Sequence, residues 1–272
     1  MNSKIIIAID AMGGENAPCK NIEGVSLFLK KNKKTNDVFF NLFGNENLIK
    51  KEISKYKISN DTYKIFPTSS IVSDEETPLT AIKNSKDSSM WNSINSQIVS
   101  NSNITLSAGN TGVLFVISRM LLKTIEAVSK PALAGLWPNK QNMNVVLDLG
   151  ANVECDENNL VDFSEMGAAL HKALFPEETP KVALLNIGSE EIKGTESLKK
   201  AYAKLKNISV HGDFEFNGFI EGNKITNGES NVIVTDGFTG NIALKTAEGT
   251  AKFITDSLKK SLTSTLLSKF SI

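Results

Sequence analysis

The sequence predicts an α/β fold with a mostly parallel sheet covered on both faces by helices. Apolar, β-branched runs alternate with segments of helical periodicity along the whole chain, the pattern that builds parallel sheets. Four of these runs end at polar, glycine-bearing turns, at residues 107–112, 148–152, 186–191 and 236–241. Hydrophobic residues make up 40% and charged residues 22% of the 272 residues, as in an ordinary globular chain long enough for one large α/β domain or two lobes.

Taken in order, residues 4–9 read as a strand ending at Asp10, 17–30 as a helix, 38–43 as a strand, 45–55 as a helix and 63–66 as a short strand. Thr77-Pro78 looks like a helix start, because proline suits the first helical position. A further helix runs from Ser88 through Val99, then a strand over 104–106 and a helix over 111–123. The second half repeats the alternation with a strand at 144–148. Asp162 can cap a helix whose Phe163, Met166, Leu170 and Leu174 share a face. A strand follows at 181–186 and a helix at 195–206. Residues 208–210 are strand-like, 214–220 form a strand or hairpin edge, and 232–235 the last clear strand. Thr239 begins a long helix with Leu244, Ala247, Ala251, Ile254 and Leu258 on one stripe. Residues 139–142 and 155–159 are the candidate lobe boundaries.

In open α/β sheets ligands bind beyond the carboxyl ends of the strands, so the four polar turns together point to one site for a small anion. In the 107–112 turn Gly109 and Gly112 allow close backbone approach, and Asn110 or Thr111 can cap the next helix, whose N-terminus attracts phosphate. A ligand-free strand-to-helix turn explains the same residues. Asp236, Thr239 and Asn241 stand at another helix start with Lys245 one turn on; Lys245 either reaches an anion or is a solvated lysine, and Asp236 can act as a cap alone. Glu190 and Glu191 are adjacent, so they face different ways and fit helix-start stabilisation better than paired acid–base work. Asp148 and Asn152 bracket Gly150, and turn formation accounts for them singly.

Several classes are excluded. There is no Walker or GxGxxG spacing, no GxSxG, no HExxH and no strongly basic or RNA-binding segment, so neither nucleic acid nor a metal is implied. Lysine plus arginine and aspartate plus glutamate each total 30, and Arg119 is the single arginine. An anion site must therefore use lysines, backbone amides and side-chain amides. Cys19 and Cys155 make no disulfide framework; Cys19, at a helix start, reads as a packed cysteine. His171 reads as a surface or boundary residue and His211 as a loop residue. No apolar run reaches membrane-spanning length and no secretory signal opens the chain, so a cytoplasmic location is the expectation.

Taken together the segments resemble the bacterial phosphate acyltransferase family (PlsX). The resemblance rests on Ile9–Pro18, on Pro78, Ala81 and Lys86-Asp87-Ser88-Ser89-Met90, on the 107–112 turn and on Lys130-Pro131-Ala132-Leu133. It continues through 147–152, 184–194, Ile220-Glu221-Gly222 and 234–246, an ordered set covering almost the whole chain. It implies a three-layer α/β/α sandwich similar to isocitrate/isopropylmalate dehydrogenases and phosphotransacetylases, in one domain over 1–272. It also implies transfer of a fatty acyl group from acyl carrier protein to inorganic phosphate. The acyl phosphate formed would feed phospholipid synthesis through a downstream glycerol-phosphate acyltransferase. No cofactor is implied; a homodimer with peripheral contact to the inner face of the membrane is. Transferred onto this sequence, the catalytic candidates are Asn110, Asn186, Lys193, Asp236, Asn241 and Lys245. The substrate-binding candidates are Asp10, Gly13, Gly14, Lys86, Ser88, Ser107, Gly109, Thr111, Gly112, Asp148, Asn152, Gly188, Gly237, Thr239 and Gly240.

The sequence departs from the family in three places. Glu15-Asn16 stands where the family has Asp-His, so no role carries over for that histidine. Lys130 replaces an arginine and loses its bidentate fork. The family continues beyond the long helix whereas this sequence ends at Ile272, and the expectation is a C-terminally shortened chain with reduced stability and activity. Its last segment, 258–272, reads either as a helix missing a partner or as an amphipathic membrane-surface segment, and lysines 30–34 as solvated or as a carrier-protein contact. The alternatives are a short-chain phosphotransacylase using coenzyme A thioesters, a metal- and NAD-dependent decarboxylating dehydrogenase, which the single arginine disfavours, and an inactive membrane-docking relative.

Overall fold

The computed structural model describes residues 4–32, 37–73, 75–99, 101–210 and 212–263; His211, lysines 33 and 34 and the tail beyond 263 lie outside the described residues. The chain divides into two compact units, Met1–Ile125 and Glu126–Ile272, so the boundary falls at neither polar stretch read from the sequence.

The first unit contains β1 (Ile5–Asp10), α1 (Cys19–Lys31), β2 (Val38–Gly44), α2 (Glu46–Tyr56), β3 (Tyr63–Pro67), α3 (Pro78–Asn84), α4 (Ser89–Ile98), β4 (Ile104–Leu106) and α5 (Thr111–Leu122). Its sheet is parallel, in the order β3-β2-β1-β4. Ile9, Phe40 and Leu42 pack on Ile22 and Val25 of α1 and on Ile49 and Ile53 of α2. On the other face α4 packs against β1 and β2. The buried Asn41 donates there to the Asn101 carbonyl (2.8 Å) and Ser102 Oγ (3.1 Å), so a polar group inside the unit keeps its hydrogen bonds. Thr77, Ser88 and Asn110 cap α3, α4 and α5, each accepting a backbone N–H three residues on.

The second unit contains β5 (Gly135–Pro138), β6 (Met143–Leu147), α6 (Glu157–Leu174), β7 (Lys181–Asn186), α7 (Glu196–Ile208), β8 (Glu215–Glu221), β9 (Val232–Val234) and α8 (Gly237–Leu262). Its sheet runs β5-β6-β9-β7-β8, parallel except for β5. Val145, Leu147, Val182, Leu184, Val232 and Val234 face α6 and α7, while Val146, Ala183, Leu185 and Ile233 pack on the other side with Leu244 of α8. Both faces are thus buried and the strands read as unbroken apolar runs.

Four local expectations are corrected. The cap of α6 is Asp156, not Asp162: its carboxylate accepts the Asn158 and Asn159 N–H groups (both 2.9 Å) while Asn159 Oδ1 accepts the Asp156 N–H. Ile208 belongs to α7, because its side chain joins the core with Leu205. The buried face of α6 runs Leu160, Phe163, Gly167 and His171, leaving Leu170 and Leu174 exposed. Gly167 sets that rotation, since a Cβ there would meet Val232 Cγ1 at 2.6 Å. On α8 the predicted stripe packs through Leu244, whereas Ala251, Ile254 and Leu258 are exposed.

His171 is consequently fully buried, not at the surface. Its Nε2 lies 3.3 Å from Glu178 Oε2, yet neither ring nitrogen makes an aligned hydrogen bond. Burial pushes the imidazole below its ordinary value, against the raising pull of Glu178. The folded state therefore favours the neutral ring, while the unfolded chain takes up a proton near about pH 6.5. The stability this group contributes is present above that pH and is lost as the pH falls below it. Urea midpoints are expected to drop between about pH 7.5 and about pH 5.5, with a shallower drop in His171→Asn.

Candidate active site

Three of the four polar turns meet at one edge of the second unit. β6, β9 and β7 are adjacent and in register at Leu147, Val234 and Leu184, so the turns leaving them emerge side by side. Asp148 organises the first. Its carboxylate is completely buried. Oδ1 accepts N–H groups from Leu133 (3.1 Å), Gly150 (3.1 Å) and Ala151 (2.9 Å). Oδ2 accepts the backbone N–H and the side-chain amide of Asn152 (both 2.7 Å). The Asn152 amide also donates to the Pro131 carbonyl (2.8 Å). These amides, read from the sequence as anion donors, are committed to Asp148. Asp148 and Asn152 position the turn; they do not present free donors.

The start of α8 locks onto this turn. Asp236 accepts the Thr239 N–H and its hydroxyl (both 2.8 Å), and the Gly237 N–H reaches the Asn152 carbonyl (2.8 Å). Gly237 and Gly240 are required here, because a Cβ on either would press into the backbone of Asn152 or Asp148. Asn241 lies against Gly150, whose φ is +131°, and its exposed amide has no hydrogen-bond partner among the described residues. Lys245 is exposed and pairs with Glu248 (2.8 Å). The positive end of the α8 dipole points at this edge.

At the end of β7, Asn186 Oδ1 accepts the Ile187 N–H (2.9 Å) and its amide donates to the Lys193 carbonyl (3.1 Å). Gly194, at φ +94°, leaves room for that side chain. Lys193 pairs with Glu190 (2.9 Å) beside Gly188. Glu191 instead accepts from Tyr202 Oη (2.6 Å), which drives the Tyr202 pKa up to about 12. The adjacent carboxylates thus face different partners and form no acid–base pair.

The fourth turn lies in the first unit, at the carboxyl end of its own sheet. Asp10, also buried, accepts from Ser107 Oγ (2.7 Å) and from the Met12 N–H (3.3 Å), and Ser107 Oγ accepts the Gly109 N–H (3.1 Å). Gly13 fits only without a Cβ, which would meet Asp10 Oδ2 at 2.5 Å, and Gly14 holds φ +88°. Asn110 donates to the Glu76 carbonyl (3.1 Å) while capping α5, which Thr111 and Gly112 begin. Ser88 is buried as the cap of α4, and Lys86 is exposed in the turn before it. Sequence reasoning missed Asn21, which donates to the Ala11 and Gly13 carbonyls (both 3.0 Å) and pins the loop after β1. An amide in the first turn of a helix that packs its apolar face on the sheet was the available signal.

Burial is the main reason the Cys155 thiol is held above its usual range, which makes it a poor nucleophile. Among the described residues no group of three or more histidine, cysteine, aspartate or glutamate side chains is arranged to hold a metal. The edge offers the Asn241 amide, two lysines and a helix N-terminus on a hydrogen-bonded backbone. That arrangement can bind an anion and stabilise developing negative charge.

The architecture is that of the phosphotransacetylases. A phosphotransacetylase from Streptococcus pyogenes superposes with a TM-score of 0.65 at 12% identity, covering 92% of this chain and 82% of that one. The EutD phosphotransacetylase from Staphylococcus aureus gives 0.64 at 14%, covering 92% and 84%. Sequence comparison then places the chain more narrowly. Residues 5–272 match the fatty acid synthesis protein family. The phosphate acyltransferase of Pelagibacter ubique is 54% identical over 270 residues, 99% of this chain and 79% of the relative. That of Caulobacter vibrioides is 39% identical over 264 residues, 97% and 72% respectively. The chain belongs to this fatty acid synthesis protein family, the family of the phosphate acyltransferases.

Proposed function

We propose that the chain transfers a fatty acyl group from an acyl carrier protein thioester to inorganic phosphate, releasing acyl phosphate for phospholipid synthesis. The observation that carries this reading is the edge where β6, β9 and β7 end, with rigid polar turns, a helix N-terminus and two lysines but no activated serine or cysteine. Phosphate is itself the nucleophile, so the protein need not create one. A phosphate oxygen attacks the thioester carbonyl carbon, the C–S bond breaks, and the thiolate leaves with the bonding pair. The tasks left to the protein are to hold phosphate in line with the carbonyl and to stabilise the oxyanion formed there.

In this reading Asn241, Lys245 and Lys193 contact phosphate or the oxyanion. Asp148, Asn152, Asp236, Asn186 and the glycines of the turns position them, and Asp10 and Ser107 hold the corresponding loop of the first unit. A homodimer with peripheral membrane contact accords with the apolar residues that α8 exposes; no described helix is long and apolar enough to cross a membrane. The reading is tested by thiol release from a long-chain acyl carrier protein thioester with and without phosphate. Asn241→Ala is expected to raise the phosphate KM roughly tenfold, the value of one hydrogen bond to a charged group, with an unchanged melting temperature. An unchanged KM removes Asn241 from the site.

A further inference from the structure

The same edge of the second unit carries five of the chain's exposed large apolar side chains. Val153 is 67% exposed, Ile187 and Ile192 82% each, Phe238 59% and Ile242 52%. Val153 follows the Asp148 turn beyond β6, Ile187 and Ile192 sit in the turn after β7, and Phe238 and Ile242 lie on the first turns of α8 after β9. The three strands are neighbours at spacings of about 4.8 Å, so the turns and helix start that carry these side chains lie side by side. Single exposed apolar residues need no explanation, but a cluster around a polar centre does. The isoleucine loop is also held in shape, by the Asn186 bonds to Ile187 and Lys193 and by Gly194.

We propose that this collar takes the aliphatic chain of the acyl donor, with Ile187 and Ile192 setting the preference for long chains. The inference rests on the function proposed above. The Asn241 amide and the lysines suit the reacting carbonyl and phosphate, and apolar side chains on the same turns suit the methylenes that follow the carbonyl. An amphipathic substrate with its polar end at the reacting centre requires this concentric arrangement.

The test compares hexadecanoyl and butanoyl thioesters in the full chain and in the double variant Ile187→Ser/Ile192→Ser. The KM for hexadecanoyl donor is expected to rise about tenfold more than that for butanoyl donor, as follows from losing contact with one to two methylenes. Ile187→Leu/Ile192→Leu should restore the ratio. An equal rise for both donors, no rise, or a change only in sedimentation would overturn the proposal, the last marking a contact with a second copy. If the parent chain turns over no donor, the function reading has failed and the collar is judged by binding. Equilibrium dialysis should then show hexadecanoate retained by the parent, about tenfold less by the serine variant, and butanoate by neither; hexadecanoate held equally by both overturns it.

Discussion

Asp148→Ala is expected to abolish acyl phosphate formation and to lower stability by about 4 kcal/mol, through loss of a buried acceptor and the donors it leaves behind. Five N–H donors converge on this fully buried carboxylate. With the acceptor gone they must admit water or remain unpaired, and the turn that carries Gly150, Ala151 and Asn152 loses its shape. Gly237 then loses the fixed Asn152 carbonyl to which it bonds, and Asn241 loses its support at Gly150. Asp148→Asn keeps the volume but turns half of the acceptor into a donor facing other donors, so it should recover little of either quantity. The melting temperature is expected to fall by roughly 10 °C. A variant that keeps the parental melting temperature and turnover would show that the carboxylate is not the organiser of this edge.

Gly240→Ala and Gly249→Ala are expected to change stability in opposite directions although both lie in α8. Alanine is a better helix former than glycine by about 1 kcal/mol. At Gly249 a new Cβ meets nothing within 4 Å, so the gain should appear nearly undiminished. At Gly240 the Cβ would run into the Asp148 carbonyl oxygen and lie 2.9 Å from Thr235 Cγ2. Backbone cannot rotate away as a side chain can, so α8 must shift off the end of β6. An overpacking cost of about 3 kcal/mol is expected, a net loss of about 2 kcal/mol after the helix gain. Because that shift carries Thr239 and Asn241 with it, turnover should fall as well, whereas Gly249→Ala keeps full turnover. Urea midpoints and initial rates of the two variants measure both effects.

Elements with strong local signals were legible in the sequence. Thr77-Pro78, Ser88 and Asn110 announced their helices because a cap is a local hydrogen bond between a side chain and a backbone amide three residues away. β5 was missed because it is four residues long, antiparallel and closed by Pro138, with no parallel-strand pattern. The cap of α6 was misplaced to Asp162 because the partner of Asp156 is Asn159 and not the usual glutamate or glutamine. His171 was misread because an apolar stripe leaves out small residues: Gly167 and Ala168 turn the buried face of α6 toward the histidine. At the site, the sequence located the turns but not the ownership of their amides. That Asp148 uses the N–H groups of residues 150–152 depends on a buried side-chain direction no spacing encodes. The proposed anion-binding role therefore rests on Asn241 and the lysines.

The most direct test of the proposed reaction is to supply hexadecanoyl acyl carrier protein and radiolabelled phosphate and to count both products. One labelled acyl phosphate, trapped as its hydroxamate with release of the label, is expected for each thiol liberated, and no thiol is expected without phosphate. Thiol released at the same rate in the absence of phosphate, or released with no labelled acyl phosphate, would make the edge a site for water or another acceptor and contradict the account.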